Sequence, residues 1–219
     1  MSRNVEIEVL SPSEKPFVPK EQSKLKSGLN KLRLPGCGVV LVCIAIAWGI
    51  EIVDHIPKLN FDVLGLRPRS LSGLLGIFTM PFLHGGFGHL FSNTLTFAVL
   101  AYLMLATEGT RFFKTTLAIM VLSGIGTWVI GAQNSIHIGA SALIYGYFGY
   151  LVTRAFTEKR TLWTVFGVIL CIFYGGLIFG IFPSLRKGIS WEGHFSGFAA
   201  GIFLAYRRFK KPSNAPNLS

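Results

Sequence analysis

Four residues of this chain carry side chains suited to acyl-transfer chemistry at neutral pH, and all four lie in apolar surroundings: Ser141, His194, His89 and Asn93. A serine hydroxyl is a weak nucleophile and needs a base within hydrogen-bond reach; histidine, with an ordinary pKa of about 6.5, is the usual choice. Ser141 sits in Gly139-Ala140-Ser141-Ala142-Leu143-Ile144-Tyr145-Gly146, and His194 opens the pattern His194-x2-Gly197-x3-Gly201. A tetrahedral intermediate also needs donors for its oxyanion. His89 and Asn93, one helical turn apart, would project two donors from a single helix face, and the Ser141 N–H at the head of its helix adds a third. The same pair is equally suited to satisfying each other's neighbours as interhelical hydrogen bonders. Tyr145, one turn below Ser141, is placed to stack on the His194 ring or to serve as an ordinary core aromatic. Gly-x-Ser alone is a weak signal, since 25 glycines and 16 serines in 219 residues give about two such triplets by chance and two occur. The other, Gly188-Ile189-Ser190, has no base of its own in this reading.

The elements that must position these residues cross a lipid phase. Hydrophobic residues make up 51% of the chain, charged residues 14%, and the mean hydropathy is +0.53, values too apolar for a soluble domain of this size. A crossing helix needs about 20 apolar residues, fewer where flanking side chains snorkel. Six stretches qualify: about 36–53, 88–106, 112–132, 139–156, 161–182 and 190–206. The expected fold is therefore all-α, a polytopic membrane bundle of six transmembrane helices over 36–207. A long first loop, 54–87, holds Pro57, Pro68 and Pro81 around the apolar run 71–83, and is expected to lie partly in the interface as short helices. Residues 1–35, Lys-rich with Pro12, Pro16 and Pro19, read as a mostly disordered basic tail, and 208–219 as a second basic tail. Cys37, Cys43 and Cys171 all fall in apolar stretches, an arrangement that fits packing or lipid contact rather than a disulfide or a zinc site. No metal and no cofactor is expected.

A net charge of +11 would suggest nucleic acid in a soluble protein; here the basic residues set orientation. With the N-terminus inside, sixteen Lys and Arg fall on the cytoplasmic side, and five, Lys58, Arg67, Arg69, Arg186 and Lys187, outside. Both termini are thus expected in the cytoplasm, with the bilayer rather than nucleic acid as the partner. Spans two, four and six then run outside to inside, which brings His89, Asn93, Ser141 and His194 to one depth in the outer half. Polar groups inside a membrane cost several kcal/mol unless they meet a partner or a wet cavity, so their convergence points to a buried site. The i, i+3, i+7 spacing of His194, Gly197 and Gly201 puts the histidine on a face where another backbone can approach closely, and spans four and six are expected to touch there. Ser141 Oγ should lie within hydrogen-bond reach of a His194 ring nitrogen, in a cavity opening outward. His55, His137, Glu51 and Asp54 are read as solvated or interfacial, and Glu192 as complementing a helix N-terminus.

These residues resemble the rhomboid intramembrane serine proteases. The likeness rests on His84-x4-His89-x3-Asn93, Gly139-x-Ser141-x3-Tyr145-Gly146 and His194-x2-Gly197-x3-Gly201, in that order on spans two, four and six. It implies a Ser141–His194 dyad without a carboxylate, an oxyanion hole from His89 and Asn93, and supporting places for Tyr145, Gly139, Gly197, Gly201 and His84, the last tying the long loop to span two. It further implies transmembrane protein substrates cut near the outer face of a plasma (inner) membrane, admitted by movement of the fifth span and the cap. Two departures stand out. Ala142 occupies the position after the nucleophile where Gly is common, and Arg67-Pro68-Arg69 replaces the Trp-Arg pair often found in the first long loop. Competing readings are a catalytically silent relative that binds transmembrane clients, a small transporter or proton channel with relay histidines, and a haem protein with His89 and His194 as axial ligands. A lack of mid-depth carboxylates in spans two to six counts against the transporter.

Overall fold

The computed structural model describes residues 36–57, 59–158, 160–183 and 189–210, so the N-terminal basic tail and residues 211–219 of the C-terminal one lie outside the described residues, while Arg208 and Phe209 belong to the last helix. Six long helices account for most of what is described: α1 (Cys37–Asp54), α2 (Phe87–Glu108), α3 (Phe112–Ile130), α4 (Ser141–Thr157), α5 (Thr161–Tyr174) and α6 (Trp191–Phe209). Their bounds fall within three residues of the six apolar stretches, because each stretch is closed by Gly, Pro or charge that a helix in lipid cannot carry, except that α5 stops at Tyr174, eight residues short of the expected 182, where Gly175 and Gly176 end the α-helical turn. A seven-residue 3₁₀ segment, Gly175–Ile181, prolongs α5. Between α1 and α2 the chain makes 3₁₀ turns at Phe61–Leu64, Ser72–Leu75 and Met80–Phe82 and a one-turn helix at Gly76–Thr79, with Pro81 in the last of the turns. The chain is an all-helical integral membrane protein. Among the described residues three stretches have both the length and the apolarity to cross a membrane unaided: Cys37–Asp54, Phe87–Ile130 and Thr161–Ile181.

The helices divide by what surrounds them. Helix α4 is the hub: it packs against α2, α3, α5 and α6, and twelve of its residues, from Ala142 to Ala155, are buried. A helix enclosed by protein need not be apolar throughout, which is why Tyr147, Tyr150 and Arg154 are tolerated on it. Tyr147, fully buried, shares a hydrogen bond with Thr116 of α3 at 2.9 Å. Helices α1 and α5 lie at the rim. On α5 only Gly167 and Leu170 are buried, while Leu162, Ile172 and Phe173 are more than 70% exposed.

The closest approach is between α4 and α6. Gly197 lies against the Ala142 carbonyl and Gly201 against the Gly146 carbonyl, so a Cβ on either glycine would overlap backbone. Small residues on both sides bring two main chains into direct dispersion contact, the dominant attraction where the solvent is itself hydrocarbon.

At the opposite end of the bundle from Ser141, charge locks the helices together. Glu108 of α2, its side chain wholly buried, receives Arg154 of α4 at 2.8 Å and also Arg208 of α6. Arg154 reaches Glu158 at 2.8 Å and lies 4.1 Å from the ring centre of Trp163 on α5. Arg208 donates to Tyr150 Oη at 3.1 Å. Two carboxylates and two guanidiniums balance, which is the condition for keeping charge out of water.

Candidate functional site

Ser141 is the first residue of α4. The chain reaches it through Gly139, whose φ of +102° is a conformation glycine adopts freely, and whose N–H donates to the Met80 carbonyl at 2.8 Å. Space as well as φ demands glycine: a Cβ there would stand 2.9 Å from His89 Cε1 and 3.2 Å from Asn93 Nδ2. The two side chains of α2 therefore converge on the turn that presents the serine. The first N–H groups of α4, Ser141 among them, have no intrahelical acceptor and remain available as donors.

Ser141, His89, Asn93, Tyr145 and His194 line one cavity of about 990 Å³. Ser141 Oγ forms no hydrogen bond among the described residues, so the contact expected with His194 is a shared cavity rather than a made bond. Such nucleophile–base bonds are commonly loose without substrate and tighten with it. The His194 ring is nonetheless fixed: it lies parallel to Tyr145, 4.1 Å between centres and 8° between planes, and its Nδ1 is 2.9 Å from the Gly180 carbonyl. Tyr145 thus takes the stacking place anticipated for it. Asn93 is buried with Nδ2 unpaired, poised for an acceptor from outside the protein.

His84 meets α2 through ring packing rather than through hydrogen bonds. It is 3% exposed, meets His89 edge-on at 5.2 Å, and neither ring nitrogen makes a hydrogen bond of normal geometry. Burial, reinforced by His89, lowers its pKa to about 4, so the ring is neutral at pH 7.

Three readings of polar residues are corrected. His137 is not solvated: it is 5% exposed, bridged to Leu66 through the backbone, and its Nδ1 is 2.5 Å from Ser190 Oγ. Ser190 therefore does have a histidine partner, and it also caps α6 by accepting from the Gly193 N–H at 3.2 Å. Ser135 Oγ donates to the Ala132 carbonyl and so must accept from His137 Nε2 at 2.9 Å, which leaves Nδ1 to accept from Ser190. The pair latches the loop before α4 to the start of α6. Glu51, expected to be solvated or interfacial, is 3% exposed. Glu192 lies in the first turn of α6, as its reading as a complement to the helix N-terminus requires, and is 7% exposed on the wall of the same cavity. Linear patterns do not give these contacts, because His137 and Ser190 are 53 residues apart.

Among the described residues no group of three or more His, Cys, Asp or Glu is arranged to hold a metal ion. The arrangement is instead that of a helical membrane protein with a helix-borne serine, a fixed imidazole and amide and imidazole donors facing one cavity. The rhomboid domain family matches residues 72–211, well over half of the chain, which belongs to the rhomboid family. The chain is similar to an uncharacterized protein of Mycobacterium tuberculosis, 33% identical over 207 residues that cover 91% of this chain and 85% of the relative. An uncharacterized protein of Mycobacterium leprae is 32% identical over 174 residues, 76% and 69% of the two chains. RHOMBOID-like protein 5 of Arabidopsis thaliana is 25% identical over 142 residues, 59% of this chain and 42% of its own.

Proposed function

We propose that the chain is an intramembrane serine protease that hydrolyses peptide bonds in or next to transmembrane segments of other membrane proteins. All six long helices cross the bilayer in this reading, 36–207 forming the membrane domain, with both tails in the cytoplasm and the cavity open to the extracytoplasmic side of a plasma (inner) membrane. Ser141 Oγ attacks the scissile carbonyl while His194 Nε2 takes its proton. The oxyanion is received by Asn93 Nδ2, His89 and the Ser141 N–H. Nε2 then returns the proton to the leaving amine, and water, activated by the same nitrogen, hydrolyses the acyl-enzyme. The observation that carries this reading is the convergence of Ser141, His194, His89 and Asn93 on one cavity. Its test is a fluorophosphonate probe together with a panel of labelled transmembrane substrates. Wild type should be labelled and should cut; Ser141→Ala and His194→Ala should lose both, with kcat down by at least about 10³-fold. Labelling that persists in Ser141→Ala sinks the assignment.

One observation favours a second reading, a silent relative that holds transmembrane clients: Ala142 follows the serine, its carbonyl against Gly197. That reading requires client capture without cleavage, and without labelling, by wild type.

A further inference from the structure

The base of the proposed dyad is held by main chain. A carbonyl oxygen only accepts, so the 2.9 Å contact between His194 Nδ1 and Gly180 O places the hydrogen on Nδ1. A neutral imidazole then keeps its lone pair on Nε2, the nitrogen needed to take a proton from serine. Tyr145 fixes the plane of the ring by its parallel stack, and the Gly180 bond fixes rotation within that plane. Gly180 is the sixth residue of the 3₁₀ segment that prolongs α5. A Cβ on it would overlap the Tyr145 hydroxyl and stand 3.2 Å from His194 Nδ1, so the close approach itself requires glycine. Earlier in the same segment, Gly175 and Gly176 have open space where a Cβ would be, so nothing comparable holds them.

We infer that the Gly180 carbonyl is the positioning group of the dyad, standing where a catalytic triad places a carboxylate, and that the tautomer of His194 is set by the location of this 3₁₀ segment. The catalytic meaning rests on the protease reading; the tautomer does not. Proton accounting is simple. Nδ1–H stays on the ring throughout, Nε2 takes the serine proton and passes it on, and Gly180 O accepts the same hydrogen in both states. The bond strengthens when the ring becomes imidazolium, as a charge-assisted bond does, so it favours the charge that develops during attack. Displacement of the segment frees the ring to adopt the other tautomer. The base is then set only while the end of α5 is seated against Tyr145.

The experiment uses the full chain in lipid nanodiscs, with ¹⁵N-labelled histidine and the His194 signals assigned by their loss in His194→Ala. At about pH 8, above the ordinary histidine range, wild type should show a protonated-type Nδ1 and a lone-pair-type Nε2. Gly180→Ala, whose methyl collides with the Tyr145 hydroxyl, should populate the Nε2–H tautomer and lower kcat by about 10- to 100-fold with KM little changed. A fall of that size is well short of the ~10⁴ seen when a histidine is locked in the wrong tautomer. Gly180→Ala combined with Tyr145→Phe removes the colliding oxygen and should restore part of both signals. A wild-type His194 protonated on Nε2, or an unchanged tautomer in a folded Gly180→Ala, overturns the inference. If Gly180→Ala fails to fold, the wild-type tautomer alone decides. Should wild type resist the fluorophosphonate while Nδ1 carries the proton, the protease reading fails and the Gly180 contact stands.

Discussion

Single atoms decide whether this site can work. A methyl group at Gly139 would be strained by φ and would press on His89 and Asn93, the two donors proposed for the oxyanion. Gly139→Ala is therefore expected to slow fluorophosphonate labelling by about 10²-fold, the cost of losing an oxyanion donor, while circular dichroism stays helical. His84 makes a prediction about pH. Its folded pKa of about 4 lies below the ordinary 6.5, so the unfolded chain binds the proton more tightly. Stability is full above pH 6.5, falls as pH drops through the window from 6.5 toward 4, and levels off below it. The loss from this one group is about 3 kcal/mol, and the burial-lowered pKa of His137 acts in the same direction. Thermal unfolding in detergent across that window should show the decline, and His84→Phe should flatten it; an unchanged slope in that variant refutes the assignment. The types of these residues were legible in the sequence, and so was the helical spacing of His89 and Asn93. That His84 would be left without partners was not, because burial at one position is the sum of contacts from elsewhere in the chain.

At the scale of elements, the α4–α6 contact carries the geometry. Ser141 starts α4 and His194 is the fourth residue of α6, and Gly197 and Gly201 let the main chains close up so that both residues open on one cavity. Gly201→Val would drive a branched side chain into the Gly146 carbonyl and is expected to destabilise by more than about 3 kcal/mol, as overpacking against backbone does. A lowered unfolding temperature together with loss of probe labelling is the expected result; a variant that unfolds at the wild-type temperature and still labels would show that the helices have room to part. The glycine spacing made this contact readable in advance, since two glycines one turn apart on one face have few other uses in lipid. The latch from His137 to Ser190 was missed for the converse reason: a loop histidine and a capping serine have no period to reveal them.

The whole molecule is closed at its other end by charge. Glu108 holds two arginines from two helices, and Glu108→Gln would leave Arg154 and Arg208 short of one negative charge in a region where Glu108 and most of Arg154 are hidden from water. A loss of about 3–5 kcal/mol is expected, the cost of breaking a buried pair from one side, read as a lower unfolding temperature with the site's chemistry intact in the fraction that folds. An unfolding temperature equal to wild type would mean that Glu158 alone compensates. By itself the sequence determined the lipid setting, the number of the long helices and their bounds except at the end of α5, and the residues able to do chemistry. Each of these follows from hydropathy, length and side-chain type, which are properties of neighbours along the chain. Only the tertiary structure decided that α4 is the enclosed helix, that four charges balance at one end, and that a backbone carbonyl on the extension of α5 fixes the hydrogen on His194. Those depend on which distant segments meet, and meeting is settled by packing over the whole bundle.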